Sequence, residues 1–371
     1  MKKTILFIAD KPDWAYEFMI KAWLPFLQKD YDCFVAYDDD YNVKKNNSRS
    51  KIFQFIFNIK SLLKFFVFKI INKNEAVYFL DKSGKYYYPK YPKEKVFKYK
   101  TDLSKELTDK KNFDIKVEMA FYFQFMSVFP FTSEKKFVGI YTDSFPHEGP
   151  SFDEKTKTDL KKLSRKEFFE KYLKPYDGII VGSSGLYNDY KELTDKITFG
   201  NGIYLQDEFV ENKNIGEKEG LTIGWTGNPN RPMKGFKEVI EPAIEEVNKT
   251  GRKVSLKTKF SGPYQDLLTF YSDVDVIAIA SEADTGPSLF AEASLSKVPA
   301  ISTKIGFPKM IIEDGINGII VNRDVEEMKN AIIKLYDDRE LLKSFSERVK
   351  EDYLKLLDNK ISFDNLKKLF S

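Results

Sequence analysis

The chain reads as an α/β protein built from two doubly wound units, and three observations predict this. Short apolar runs alternate with helix-length amphipathic stretches, the pattern of parallel strands covered on both faces. The alternation pauses in a charged, loop-like stretch, Val210 to Gly220 (VENKNIGEKEG), and then begins again. A length of 371 residues suits two domains, each able to bury its own core.

Composition narrows the classes further. Aromatic residues make up 15% of the chain, with 33 Phe and 21 Tyr, ample material for two packed cores. Sixty Lys and Arg stand against 56 Asp and Glu, a formal charge of +4, so no strong basic bias marks a nucleic-acid binder. One cysteine, Cys33, excludes an internal disulfide framework and suits a reducing, cytoplasmic setting. With a single histidine it also excludes a Cys/His zinc site. The opening MKKTILFIADKPDW has the basic start of a secretory signal, but its apolar run lasts only about five residues before Asp10, too short for a signal core. A first buried strand is expected there.

Taken in order, Thr4 to Ala9 is that strand, Tyr16 to Gln28 a helix and Cys33 to Tyr37 a second strand, the opening of a parallel sheet. The loop Asp10 to Tyr16 then lies at the carboxyl edge of the first strand, a usual ligand position, or forms a plain turn with Trp14 buried. Residues 52–72 are strongly apolar, yet Lys60, Lys64 and Lys69 interrupt them, which argues against a spanning helix. Two readings stand: a helix packed on the sheet, or a basic amphipathic helix making peripheral contact with an anionic membrane. Residues 76–99 alternate Tyr, Phe, Lys and Pro around an Asp81-Lys82-Ser83-Gly84 turn and suggest a hairpin or an irregular insertion. Strands are expected at Phe113 to Val117, Phe137 to Tyr141 and Gly178 to Gly182, with a charged helix from Asp159 to Leu173. Asp143 and His147 follow the second of these strands. A lone histidine there is more often a packed, hydrogen-bonded residue than a catalyst, but the neighbouring acid keeps the pair a candidate.

In the second half, Thr222 to Thr226, Val254 to Thr258, Val274 to Ala280, Val298 to Ser302 and Gly318 to Val321 read as strands. Helices are expected at Phe236 to Asn248, around Tyr264 to Tyr271, from Leu289 to Ser296 and from Met310 to Glu313, and again to the end of the chain. Two junctions carry chemistry. After the first strand comes GNPNRPMKGF (Gly227 to Phe236), where glycine admits close backbone approach and Arg231 and Lys234 bring cations to a helix start. It is neither a Walker loop nor a GxGxxG fingerprint, and a solvated helix end is the bland alternative. After the third strand, DTGPSLFAE places Asp284 and Glu292 on either side of a loop-to-helix junction. Helix N-termini favour anions, so the acids and the helix start share one candidate site.

These motifs together make the second half resemble the donor-binding domain of retaining glycosyltransferases of family 4, the glycosyl transferases group 1. The residues carrying the resemblance are the crossing NGIYLQDEF (Asn201 to Phe209), the loop and lysine of GNPNRPMKGF, the acids of DTGPSLFAE and the tail GFPKMIIEDGINGIIVN (Gly306 to Asn322). It covers about Asn201 to Asp337 well, the first fifteen or so residues moderately and the middle of the first half hardly at all. It implies the GT-B architecture: two Rossmann-like domains facing a cleft, an acceptor domain over residues 1–205, a donor domain over 206–350, and a C-terminal helix, 351–371, crossing back to the first. It implies further that Lys234, helped by Arg231, neutralises a donor diphosphate, with Gly227 and Asn228 in the same loop. Glu292 would accept from ribose hydroxyls and Asp284 would face the donor sugar. Gly286, Pro287, Ser288 and Leu289 would bring backbone to sugar or phosphate, and Asp143 and His147 would position sugar or acceptor.

Three residues depart from the family pattern: Asn228 where an arginine is frequent, Asp284 in place of Glu, and Lys309 where an acid is frequent. No DxD motif stands at a suitable strand end, so neither a metal nor another cofactor is expected beyond the nucleotide sugar itself. The expected activity is retaining transfer of a sugar from a nucleotide donor to a glycan, lipid-linked glycan or other hydroxyl acceptor. Two other readings share the fold: an enzyme glycosylating a modified DNA base through a basic groove near Lys82 to Lys100, and a non-catalytic nucleotide-sugar-binding protein.

Overall fold

The computed structural model describes residues 2–12, 14–41, 111–142, 145–147, 149 and 152–371, with the backbone alone of residues 79–80, 86–87, 96–99 and 105–108. Asp143, the amphipathic segment 52–72 and the side chains of the insertion 76–99 with its lysines lie outside the described residues. Among those described, no helix is long and apolar enough to cross a membrane.

The first sheet is built on β1 (Lys3–Ala9), β2 (Tyr31–Tyr37), β5 (Val96–Tyr99), β6 (Lys105–Thr108), β7 (Asn112–Glu118), β8 (Thr132–Ile140), β9 (Gly178–Val181) and β10 (Ile197–Phe199), while β3 (Phe79–Leu80) and β4 (Tyr86–Tyr87) pair separately. Its order is β10-β9-β8-β7-β1-β2-β5-β6, parallel except for the antiparallel ribbon of β5 and β6 at one edge. Ile5, Leu6, Phe7, Ile8 and Ala9 are fully buried because β1 is central and helices cover both faces. The second sheet takes β11 (Leu221–Thr226), β12 (Val254–Lys259), β13 (Val276–Ile279), β14 (Ala300–Thr303) and β15 (Ile319–Val321) in the order β12-β11-β13-β14-β15, all parallel. This is the two-domain α/β architecture expected from the alternation.

Local chemistry moved several boundaries. The charged helix expected over Asp159 to Leu173 is broken into Glu154–Lys161, Arg165–Phe168 and Phe169–Leu173. Ser164 stops it: its hydroxyl accepts from the Glu167 amide at 3.2 Å, and the Glu167 carboxylate accepts from the Ser164 amide at 2.7 Å. That capping box starts a new helix. The helix expected at Met310 to Glu313 instead runs from Gly306 to Ile311. Pro308 sits in its first turn, where the missing N–H would have had no partner inside the helix. Trp14 is not buried in its turn but 53% exposed, with the Lys11 ammonium 3.3 Å over its ring.

The chain passes between the domains twice, and the two passages clasp each other. Ile203 N–H donates to Asn359 Oδ1 at 2.9 Å while Asn359 Nδ2 donates to Ile203 O at 2.8 Å; Asn201 N–H donates to Ser362 Oγ at 3.0 Å. Gly202 crosses directly over the helix Ala15–Leu27, where a Cβ would stand 2.8 Å from that of Ala22. The returning helix Asn359–Phe370 joins the first core through Phe363, Leu366 and Phe370, with Phe363 stacked on Phe26 at 5.3 Å. The preceding helix Arg339–Leu357 stays in the second core. These crossings leave the carboxyl ends of both sheets facing a shared cleft.

Candidate active site

A cleft of about 490 Å³ opens at the carboxyl ends of β11, β12 and β13. Its walls bring together most residues singled out from the sequence: Gly227, Asn228, Arg231 and Lys234 from the first junction, and Asp284, Gly286, Pro287, Ser288, Leu289 and Glu292 from the second. Ala15 of the first domain closes one side.

The lysine loop is shaped by its own turns and pinned from outside. Asn228 Oδ1 accepts from the Asn230 amide at 3.0 Å, and Pro232–Lys234 forms a single 3₁₀ turn. Gly235 ends that turn at φ 68°, and a Cβ there would lie 2.3 Å from the Ala280 carbonyl. Only glycine satisfies both conditions. The Arg323 guanidinium donates to Pro232 O at 2.8 Å and to Ala280 O at 3.0 Å, tying the loop to the end of β13. Nothing in the local sequence marks Arg323, which lies 89 positions beyond Lys234 and reaches the loop only through the fold.

Lys234 Nζ sits on the Asp284 carboxylate, both side chains partly buried. The other Asp284 oxygen accepts from the Gly286 amide at 3.3 Å. Asp284 thus turns its own loop and holds the lysine over the cleft. The next residue, Thr285, donates its hydroxyl to Tyr141 O at 2.6 Å, fastening this loop to the end of β8 across the domain boundary. Arg231 lines the cleft with no ion pair to any described residue; its guanidinium touches only Met233 Sδ, at 3.3 Å.

Glu292 is 3% exposed on the helix Ser288–Leu295 and accepts the Tyr271 hydroxyl at 2.8 Å; Tyr271 in turn lies 3.3 Å from Thr226 Oγ1. Burial raises the Glu292 carboxyl from 4.5 to about 7, and the Tyr271 hydrogen bond offsets only part of that cost. A buried carboxylate with one donor has room to accept more, as from two sugar hydroxyls. Pro287 precedes this helix and no side chain caps it, so its first amides are available to an anion. Sequence reasoning missed Tyr271 as a partner of Glu292. It also missed two cleft aromatics: the buried Trp225 and Phe260, which is 49% exposed. For all three, placement in the fold and not residue type makes them part of the site.

The single histidine does not line this cleft. His147 is fully buried among Phe121, Phe145 and Phe168, with Nδ1 donating to Thr142 O at 2.9 Å and Nε2 hydrogen-bonded to the Tyr190 hydroxyl at 2.5 Å. Its surroundings are those of a packing residue. The first-domain wall is made instead by Tyr16, Phe18 and Tyr141 around a smaller hollow of about 230 Å³ that shares Asp284, Gly286, Ser288 and Glu292 with the cleft.

Comparison with known proteins agrees with this geometry. Residues 234–352 match the family model of glycosyl transferases group 1. No curated protein sequence matches the chain. Solved structures with the same fold include TarM (TM-score 0.60, 14% identity, 100% of this chain and 99% of that one) and sucrose-phosphate synthase from Thermosynechococcus elongatus (TM-score 0.59, 10% identity, 100% and 98%). HepE from Anabaena, solved with UDP and glucose, has a TM-score of 0.56 at 11% identity over 99% and 98% of the two chains. The fold is therefore GT-B, with two Rossmann-like domains. With the group 1 domain supplying one wall of the cleft, the chain is a glycosyltransferase enzyme.

Proposed function

We propose that the enzyme transfers a sugar from a uridine diphosphate donor to a hydroxyl of a glycan or lipid-linked glycan, with retention and without a metal. The observation that carries this reading is the convergence of Lys234, Asp284, Glu292 and an uncapped helix start in one cleft. Uridine is supported by HepE and by a TarM structure from S. aureus, both solved with UDP.

The scissile bond joins the anomeric carbon to a diphosphate oxygen, so charge builds on the leaving group. Lys234, Arg231 and the amides of Ser288 and Leu289 would receive it, in the role a metal plays elsewhere. Without donor, Asp284 occupies Lys234; a diphosphate would take over the ammonium and leave Asp284 to accept from a sugar hydroxyl. Glu292, ionised, would accept from the ribose. In the retaining course the anomeric bond to the acceptor oxygen forms on the face the phosphate leaves. The acceptor proton passes to that phosphate oxygen, so no side-chain base is required. This agrees with a histidine sealed away from the cleft.

The test is a panel of nucleotide sugars, beginning with UDP-glucose and UDP-N-acetylglucosamine, assayed for nucleoside diphosphate release with and without acceptors and with a chelator. Release from a UDP sugar that survives chelation, with the anomeric configuration kept in the product, is expected. No release from any donor would sink the reading; an inverted product or loss with chelator would sink those parts of it.

A further inference from the structure

We propose that a second hollow, meeting the donor cleft at Asp284, binds an anionic group of the acceptor, a phosphate or a carboxylate, through Lys304 and Lys309. The proposal rests on the sugar-transfer reading above and names the chemistry of its acceptor.

The hollow holds about 310 Å³ and lies between the domains. The first domain contributes Ser183, Ser184 and Asp189, the second Glu282, Asp284, Lys304 and Lys309. Asp284 is the one residue it shares with the donor cleft. A molecule seated here is therefore beside the sugar position but outside the nucleotide position, which is where an acceptor has to be.

Among the described residues its charges do not cancel. Each acid in the lining already has a cation: Asp189 has Arg165 at 3.2 Å, Glu282 has Arg323 at 3.5 Å, and Asp284 has Lys234. Lys304 and Lys309 have none, since neither ammonium makes an ion pair or hydrogen bond with any described residue. Lys309 stands on the helix Gly306–Ile311 and Lys304 just before it, so one short segment carries both cations to the same hollow. Two uncompensated ammonium groups, with Ser184 adding a hydroxyl, suit a compact anion better than a neutral sugar ring. Exposed lysines are ordinarily solvated and idle. These differ in facing a concave site whose acids are all engaged.

The test measures binding before turnover. Calorimetry on the full chain would use a glycerol phosphate oligomer, an oligogalacturonate and an uncharged malto-oligosaccharide as probes, with UDP titrated separately. At least one anionic probe is expected to bind more tightly than the neutral one. Its affinity should drop by about tenfold or more in Lys304→Glu/Lys309→Glu, the loss typical of charge-assisted hydrogen bonds. Should that variant fail to fold, Lys304→Gln/Lys309→Gln is read in the same way. A response to the phosphate oligomer alone assigns phosphate, to the galacturonate alone carboxylate, and to both a general anion site. Equal or better binding of the neutral probe, or anionic binding indifferent to both substitutions, overturns the proposal. If UDP binds while the anion arms fail, only this inference falls; if UDP does not bind, the donor reading falls first.

Discussion

The two walls of the cleft are built on different principles. The second-domain wall is made of charged side chains and helix amides at two strand-to-helix junctions, and several of its polar groups are already engaged with one another: Lys234 with Asp284, Glu292 with Tyr271. The first-domain wall is aromatic, with Tyr16 and Tyr141 rings 5.6 Å apart and the Tyr16 and Tyr122 hydroxyls 3.4 Å apart. Burial raises all three of these phenols above their usual range. The contrast teaches that fixed charge, as the proposed diphosphate site requires, is supplied by a few residues at set spacings. The opposite face offers shape and hydroxyl groups, which come from residues scattered over the chain.

Removing charge from the first of these walls should produce the largest effect. Lys234→Ala is expected to cut turnover by about a hundredfold or more, roughly 3 kcal/mol of leaving-group stabilisation. Steady-state rates within threefold of wild type would remove Lys234 from the site. His147→Ala, behind the aromatic wall, should instead cost about 3 kcal/mol of fold stability through a cavity and an orphaned Tyr190 hydroxyl. Denaturant melts measure that loss. A kcat lost together with an unchanged melt would reverse the assignment of His147 as a packing residue.

Glu292 gives the comparison a pH dependence. Its carboxyl is raised from 4.5 to about 7, so the folded protein holds a proton there that the unfolded chain has already released. Its contribution to stability is complete below pH about 4.5 and is lost as pH rises to about 7. Glu292→Gln keeps an uncharged acceptor for Tyr271 and lacks this loss, so its melting temperature should gain on wild type between pH 5 and 8. Donor affinity should move the other way. Ribose hydroxyls prefer the ionised acid, so UDP binding to wild type should tighten between pH 6 and 8, and Glu292→Gln should weaken it about tenfold at pH 8. A flat wild-type profile would separate Glu292 from the ribose. The smallest effect is expected at Arg323→Met, which frees the Pro232 and Ala280 carbonyls and loosens the lysine loop. A donor KM raised about three- to fivefold with little change in kcat would show that Arg323 positions the loop. An unchanged KM would show that the loop holds itself.

The strands were largely legible because buried parallel strands are continuous apolar runs: Thr4 to Ala9 and Val274 to Ala280 announce themselves. The second-domain site was legible for a related reason. Asp284 and Glu292 flank a single helix start, and Lys234 opens the helical segment after β11, so local spacing already implied a shared end of the sheet. Ser164 was harder. Its hydroxyl competes with the backbone inside a stretch otherwise patterned as one helix, and only the formed capping box shows which interaction won. His147 was harder still, since a histidine after a strand end looks the same whether its ring meets a substrate or three phenylalanines.

By itself, the sequence determined two doubly wound units and the cluster at the two second-domain strand-to-helix junctions, because periodicity and strand-to-helix spacing are short-range properties. The tertiary structure alone decided that Arg323 pins the lysine loop and that Tyr271 partners Glu292. It also decided that Thr285 bridges to Tyr141, that His147 is sealed in an aromatic shell and that Lys304 and Lys309 face a hollow against the first domain. Each of these depends on which distant segments meet. Parallel sheets bring such segments together through long crossovers, which leave no trace in local pattern.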